Sequence, residues 1–282
     1  MVKIIADSTC DLSKEITEKY SISILPLHIL LGEKEYEDGI DITQEEIIKW
    51  SDENKTTPRT SAPSIDSAIK LFEPVIKRGD EIVAFAISEE MSSSANVMRM
   101  AAEELDASDK ITVIDSRNLS TGIGLLVIEA AILASEGKDR QEIVEKIKEY
   151  IPKVRASFVV DTLVYLHRGG RCSGLAAMLG AAIKLHPRIV VRDGKMLSDK
   201  KYRGKMKSVV DSYVNGLVEE LKNAKTDRVF ITHSPISEEI IEATKETLKE
   251  LGIFAEIIET QAGGVVCSHC GPGTLGVLFI SK

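Results

Sequence analysis

The sequence predicts an α/β fold: two α/β domains, the N-terminal one with a mostly parallel sheet flanked by helices, the C-terminal one with a mixed sheet and helices. Three observations predict it. In the first half, short apolar runs alternate with segments of helical spacing, the pattern of a parallel sheet covered on both faces. Pro152 then interrupts the alternation. Beyond it, two strand-like runs flank Asp193-Gly194, a favoured pair for a tight antiparallel hairpin. A chain of 282 residues suits two domains or one large one, and we divide it at the proline into 1–152 and 153–282.

Taken in order, Val2 to Ala6 reads as a buried strand, with Asp7-Ser8-Thr9 at its carboxyl end, where open α/β sheets bind ligands. Leu12 to Tyr20 has helical spacing. Ile22 to Leu31 is a second apolar run ended by Gly32. Thr43-Gln44-Glu45-Glu46 is a capping box that opens a helix through Trp50. Lys55 to Ser64 is polar and unpatterned, either a solvated linker or a loop directed to a helix N-terminus with Ser64 as N-cap. Glu81 to Ile87 is a strand, and a hydroxyl-rich turn, Ser88 to Ser94, leads into a helix from Ala95 to Leu105. Ile111 to Ile114 is a strand ending in Asp115-Ser116. Gly122 to Ser135 is apolar nearly all round and so predicts a helix buried on several faces. Asp139 to Glu142 caps a helix through Tyr150. Three strand ends with Ser, Thr or Asp clusters suggest that hydroxyl groups converge at one edge of the sheet.

In the second half, Ser157 to Val160 reads as a strand, and Gly169-Gly170 allows close backbone approach just before Arg171. Ser173 to Ile183 reads as a helix of small apolar residues that packs closely or leaves room for something slender. The hairpin spans Arg188 to Leu197. Helices are expected over Ser208 to Lys222 and Ser237 to Leu251, and strands over Arg228 to Thr232 and Phe254 to Ile258. Near the end, Gly271 and Gly273 bracket Pro272 in a tight turn, and Thr274 to Ile280 reads as a buried strand. His269 at the mouth of that turn is placed to meet an anion beside exposed backbone N–H groups; a purely structural turn is the competing reading.

Composition sets limits. A net charge of −8 argues against general nucleic-acid binding, which needs a basic surface. Aromatic content of 5% leaves few stacking platforms. No leader-like or membrane-spanning run stands out, so the expected location is the cytoplasm. Four cysteines are too few for a disulfide framework in a chain of this size. One basic stretch stands apart: Lys184, Arg188, Arg192, Lys195, Lys200, Lys201, Arg203, Lys205 and Lys207, opposed within it by Asp193 and Asp199. Such a patch suits an acidic partner, a transient contact with a membrane surface, or plain solvation.

Four motifs in order resemble the DegV family of bacterial fatty-acid-binding proteins: Asp7-Ser8-Thr9, Thr60-Ser61-Ala62-Pro63-Ser64, Leu166-His167-Arg168-Gly169-Gly170-Arg171, and His269-Cys270-Gly271-Pro272-Gly273-Thr274. The resemblance implies a non-catalytic lipid carrier with a long-chain fatty acid buried between two α/β domains and no other cofactor. It implies a carboxylate held by Thr60, Ser92 and His269, with Arg171 in the surrounding network; the adjacent Ser61 and Ser93 complete the candidate set. A fatty-acid kinase subunit would be the partner, phosphorylating the carboxylate to an acyl phosphate for phospholipid synthesis, with Lys201 and Arg203 as candidate docking residues. The chain departs from the family pattern at Met91-Ser92-Ser93-Ser94-Ala95, where Leu-Ser-Gly-Thr-Tyr is usual, and at His186-Pro187, where Lys-Pro is usual.

The chemistry agrees with a buried acid. At about 0.8 kcal/mol per buried methylene, a chain of roughly fifteen contributes on the order of 12 kcal/mol before ordering costs. The carboxylate must then be compensated by donors. Helices near Ile123 to Ala134 and Leu175 to Ile183 are candidates to line the slot. Three other readings stay open. Ser92 or Ser61 with His269 and Asp7 could form a serine-dependent acyl hydrolase, although no Gly-x-Ser-x-Gly elbow is present. Cys267 to Cys270 hints at a metal but lacks a second ligand pair, so no metal site is assigned. A non-lipid carboxylate sensor, or an interaction protein working through the basic hairpin, is the third.

Overall fold

The structure is a computed structural model and describes residues 1–173 and 185–282. Apart from Ser173, which is strand rather than helix, the expected helix over Ser173 to Ile183, its suggested role in lining a slot, and Lys184 lie outside the described residues.

The chain opens with β1 (Val2–Asp7), then α1 (Lys14–Lys19) and β2 (Ser23–Leu25). The apolar run from Ile22 to Leu31 is not one element. Pro26, which lacks an N–H and has a fixed φ, divides it, and β3 (His28–Leu31) turns away to pair with β4 (Lys34–Glu37). α2 (Gln44–Asn54) starts at the expected Thr43–Glu46 capping box and runs past Trp50. The polar stretch after it is not a bare linker: Arg59–Ser61 forms β5, antiparallel to β3 with Thr60 opposite Ile29. A small third sheet, β4-β3-β5, results. Ser64 caps α3 (Ile65–Lys77) through Ser67 N–H, as expected. β6 (Glu81–Ala86), α4 (Ser94–Glu104), β7 (Ile111–Asp115), α5 (Thr121–Ser135) and α6 (Arg140–Tyr150) complete the first half. The sheet β2-β1-β6-β7 is parallel throughout.

The second half contains β8 (Val154–Val159), α7 (Val164–Gly169), β9 (Cys172–Ser173), β10 (Leu185–Arg192) and β11 (Lys195–Arg203). Asp193 and Gly194 both have positive φ, which the β10–β11 turn requires. The single helix expected over Ser208 to Lys222 is two, α8 (Met206–Asn215) and α9 (Val218–Lys222), broken at the weak helix formers Asn215 and Gly216. β12 (Arg228–His233), α10 (Glu238–Glu250), β13 (Glu256–Gln261), α11 (Gly264–Cys270) and β14 (Leu275–Ile280) follow. Their sheet is mixed, in the order β13-β12-β14-β8-β10-β11-β9. This is a two-domain α/β fold, one sheet parallel and the other mixed.

α5 joins the halves. It packs on β1 of the parallel sheet and on β8 and β14 of the mixed sheet, and its Ile123, Leu126 and Ile128 share one core with Phe85, Phe158 and Leu278. Being apolar all round thus marks a middle layer and not a slot wall. Gly124 permits this approach: a Cβ there would fall 2.7 Å from Leu12 Cδ2 and 3.0 Å from the Cys10 carbonyl oxygen. On the far face of the mixed sheet, the fully buried Tyr213 hydroxyl donates to Ser157 O at 2.7 Å and accepts from Val277 N–H at 2.9 Å. Tyr213→Phe removes both bonds and should cost about 1–3 kcal/mol. Urea unfolding will show this as a lower midpoint with an unchanged slope.

Candidate functional site

A cavity of about 220 Å³ opens between the parallel sheet, the small third sheet and the mixed sheet. Leu27, Ile87, Met91 and Leu119 from the first half and Met196, Val265, Val266 and Cys270 from the second make its apolar wall. Its polar lining is Thr60, Ser61, Ser92, Ser93, Arg171 and His269. That volume lies below the roughly 300–1,000 Å³ of sites for drug-sized ligands, and suits a slender segment.

Thr60 enters from β5 and His269 from the last turn of α11, a helix the sequence reading did not resolve. Thr60 Oγ1 and His269 Nε2 lie 2.8 Å apart. Burial, and secondly the Arg171 guanidinium, push the imidazole down to about 4, so it is neutral at pH 7. Nδ1 is buried without a partner among the described residues and faces Gly169, where a Cβ would sit 2.4 Å from it. A proton on Nε2 leaves only a lone pair at Nδ1. The other tautomer would bury an N–H with no acceptor, so the geometry favours Nε2–H at the cavity. Past the helix, Gly271 and Gly273 have φ of 76° and 72°. A Cβ at Gly271 would overlap the Tyr165 ring at 2.5 Å.

Ser92 and Ser93 lie in the turn before α4, with Ser92 Oγ 3.0 Å from Ser94 Oγ and 3.3 Å from Ser94 N. The N-terminus of α4 favours negative charge here. Arg171 is exposed at the rim and donates from Nη1 to Gly169 O at 2.6 Å. A second, polar hollow of about 510 Å³ adjoins the first, lined by Thr56, Thr57, Arg59 and Arg168 and sharing Thr60, Arg171 and His269 with it. The Thr60–His269 pair therefore borders both.

Several expectations are corrected. The hydroxyls at the three strand ends share one sheet edge but not one ligand site. Ser8 donates to Asp38, Thr9 to Asp7, and Ser116 to Asn118 O; only Ser92 and Ser93 line the cavity. The hydrolase triad is not assembled. Asp7, pushed up to about 6 by burial, is held by Thr9 and by Ile87 N–H, and among the described residues no acid meets His269 Nδ1. Burial pushes the Cys267 thiol up to about 12 and that of Cys270 higher. α5 is absent from the cavity lining.

The basic run is also less free than its sequence suggests. Arg188 pairs with Glu220 at 3.0 Å, Lys195 with Glu90 at 3.3 Å, and Lys207 with Glu239. Lys200, Lys201, Arg203 and Lys205 remain without an ion pair among the described residues, all exposed. Lys201 and Arg203 lie roughly 17–23 Å along β11 from Met196 at the cavity, five to seven residues at about 3.3 Å each. Sequence reasoning missed the apolar lining, which no local pattern marks. It also missed Asp38, whose one signal is an acid followed by glycine after a short strand.

Fold and site define a class: a two-domain α/β protein with a largely apolar pocket between its sheets that also carries hydroxyl, imidazole and guanidinium groups. A family model described as an uncharacterised protein of the DegV family matches residues 1–282. A DegV domain-containing protein of Caldanaerobacter subterraneus subsp. tengcongensis is 32% identical, over 100% of this chain and 99% of the relative. The chain belongs to the DegV family. A DegV family protein from Thermus thermophilus, described by its fatty acid binding, superposes with a TM-score of 0.91 at 26% identity, covering 100% of this chain and 99% of the other. A stearic acid-binding protein from Eubacterium ventriosum gives 0.87 at 30% identity, with the same coverage.

Proposed function

We propose that the protein binds a long-chain fatty acid, with the carboxylate at Thr60, His269, Ser92 and neighbouring Ser61, Ser93 and Arg171, and the acyl chain in the apolar cavity between domains 1–152 and 153–282. The observation that carries this reading is that six polar residues, from four separate stretches of chain, line one otherwise apolar pocket, two of them, Thr60 and His269, in direct hydrogen-bond contact. The neutral His269 offers an N–H without adding a buried charge of its own, and Arg171 supplies the compensating charge at the rim. The fatty-acid-binding relatives from Thermus thermophilus and Eubacterium ventriosum support it. Organic extraction of the purified protein followed by mass spectrometry should yield a long acyl chain. An empty protein that also fails to take up added fatty acid would overturn the reading.

The same reading makes the protein a non-catalytic carrier that presents its acid to a kinase subunit for acyl-phosphate formation. The polar hollow supports this, because it opens the Thr60–His269 pair to the outside and gathers Arg59, Arg168 and Arg171, which suit a phosphoryl group. Lys201 and Arg203 would dock the partner. Lys201→Glu with Arg203→Glu should slow acyl phosphate production by a cognate kinase while fatty-acid affinity stays within about twofold, as expected for a rim charge. Equal loss of both would mean a damaged fold, and unchanged coupling would move the docking surface elsewhere.

A further inference from the structure

We infer that Asp38 is a positioning residue for the acid, setting the spacing between Thr60 and His269 although it touches neither. The inference rests on the proposed fatty-acid site.

Asp38 directly follows β4, and its N–H donates to Leu27 O at 2.8 Å. Its Oδ2 accepts from Ser8 Oγ at 2.7 Å, and Ser8 Oγ accepts in turn from Leu27 N–H at 3.1 Å. Its Oδ1 accepts from Gly264 N–H at 2.7 Å and Val265 N–H at 3.3 Å. One carboxylate, only 2% exposed, thus ties together the end of β1, the small sheet and the start of α11. The small sheet carries Thr60 and α11 carries His269.

The helix start has little room to seat itself otherwise. A Cβ at Gly264 would fall 2.6 Å from Ile29 Cδ1 and 2.8 Å from Ile47 Cδ1. Ile29 is the residue opposite Thr60 in the β3–β5 ladder. Asp11 Oδ1 adds a bond from Gly263 N–H at 2.8 Å. The path from Thr60 through the ladder to Asp38, and along α11 to His269, is therefore short and bonded at each step. α11 is seven residues long, about 10 Å at 1.5 Å per residue, so a shift of its start reaches its end. A hydrogen bond of 2.8 Å is lost within roughly half an ångström.

A plain capping role would stabilise the fold but would not distinguish one ligand from another. The test is therefore the affinity of Asp38→Ala and Asp38→Asn for a sixteen-carbon fatty acid and for its methyl ester, which keeps the tail without the charge. Asp38→Ala should weaken acid binding about tenfold or more and ester binding less than about twofold. Asp38→Asn keeps an acceptor for Gly264 N–H and should recover part of the loss. Adding Asp38→Ala to His269→Ala should weaken acid binding no further, since both act on one pair. Equal losses for acid and ester, or additive losses in the double variant, overturn the inference. If Asp38→Ala does not fold, Ser8→Ala frees Oδ2 and Leu27 N–H while leaving the bonds from Asp38 to α11 in place, and should show the same acid-selective loss, at about threefold. Wild-type protein that binds neither probe would sink the fatty-acid reading itself. Wild type that binds the acid while Asp38→Ala binds it equally would sink only the role of Asp38.

Discussion

His269→Ala is expected to weaken fatty-acid binding by about 10- to 100-fold, because it removes a charge-assisted hydrogen bond of roughly 1.5–3 kcal/mol from the carboxylate. Titration calorimetry with a long-chain fatty acid will read the change. The effect should fall on the acid far more than on its methyl ester, whose oxygen carries no charge. Thr60→Ala should lose a comparable amount, and the pair together less than the sum, since the two side chains hold one another at 2.8 Å. Stability should change little: the imidazole already buries an Nδ1 with no partner among the described residues, so its removal relieves one cost while leaving a void. Unchanged acid affinity in both variants would place the carboxylate elsewhere.

Gly169→Ala is expected to reduce acid affinity by at least tenfold, while the helix propensity of alanine offsets part of the overpacking cost to the fold. The two effects separate because they have different causes. Gly169 ends α7 with φ outside the left-handed region, while Gly170 is the αL cap at φ 66°. Alanine at 169 is therefore compatible with the backbone, and its helix propensity favours it by up to about 1 kcal/mol. Its Cβ, however, would sit 2.4 Å from His269 Nδ1, about 1 Å inside ordinary contact. The ring must move by more than its bond to Thr60 tolerates. Gly170→Ala should do the reverse, straining the backbone and lowering the unfolding midpoint with little effect on binding. Full acid affinity in Gly169→Ala would show that the ring has freedom the packing denies it.

The double glycine shows how far local reading extends. Its need for close backbone approach was legible, but not that the approaching group is an imidazole about a hundred residues later. The capping boxes at Thr43 and Asp139 and the Asp193-Gly194 turn were read correctly because their partners lie within three or four residues. α11 was missed because seven residues, apolar nearly all round, have no periodicity to separate helix from strand. β5 was missed because its residues are polar and its strand character comes from β3 beside it. The basic run looked free because Glu90, Glu220 and Glu239 reach it from other elements.

The α/β alternation, the caps and turns, and the ordered motifs of the family are all legible along the chain. Which polar turns face the cavity and which satisfy themselves follows from the packing of distant elements. Ser8, Thr9 and Ser116 look no different in sequence from Ser92 and Ser93, yet they are spent on their own surroundings. The reason is range. Helix periods, caps and hairpin turns are set by neighbours along the chain, whereas Thr60 and His269 stand 209 residues apart. Their meeting depends on how three sheets pack.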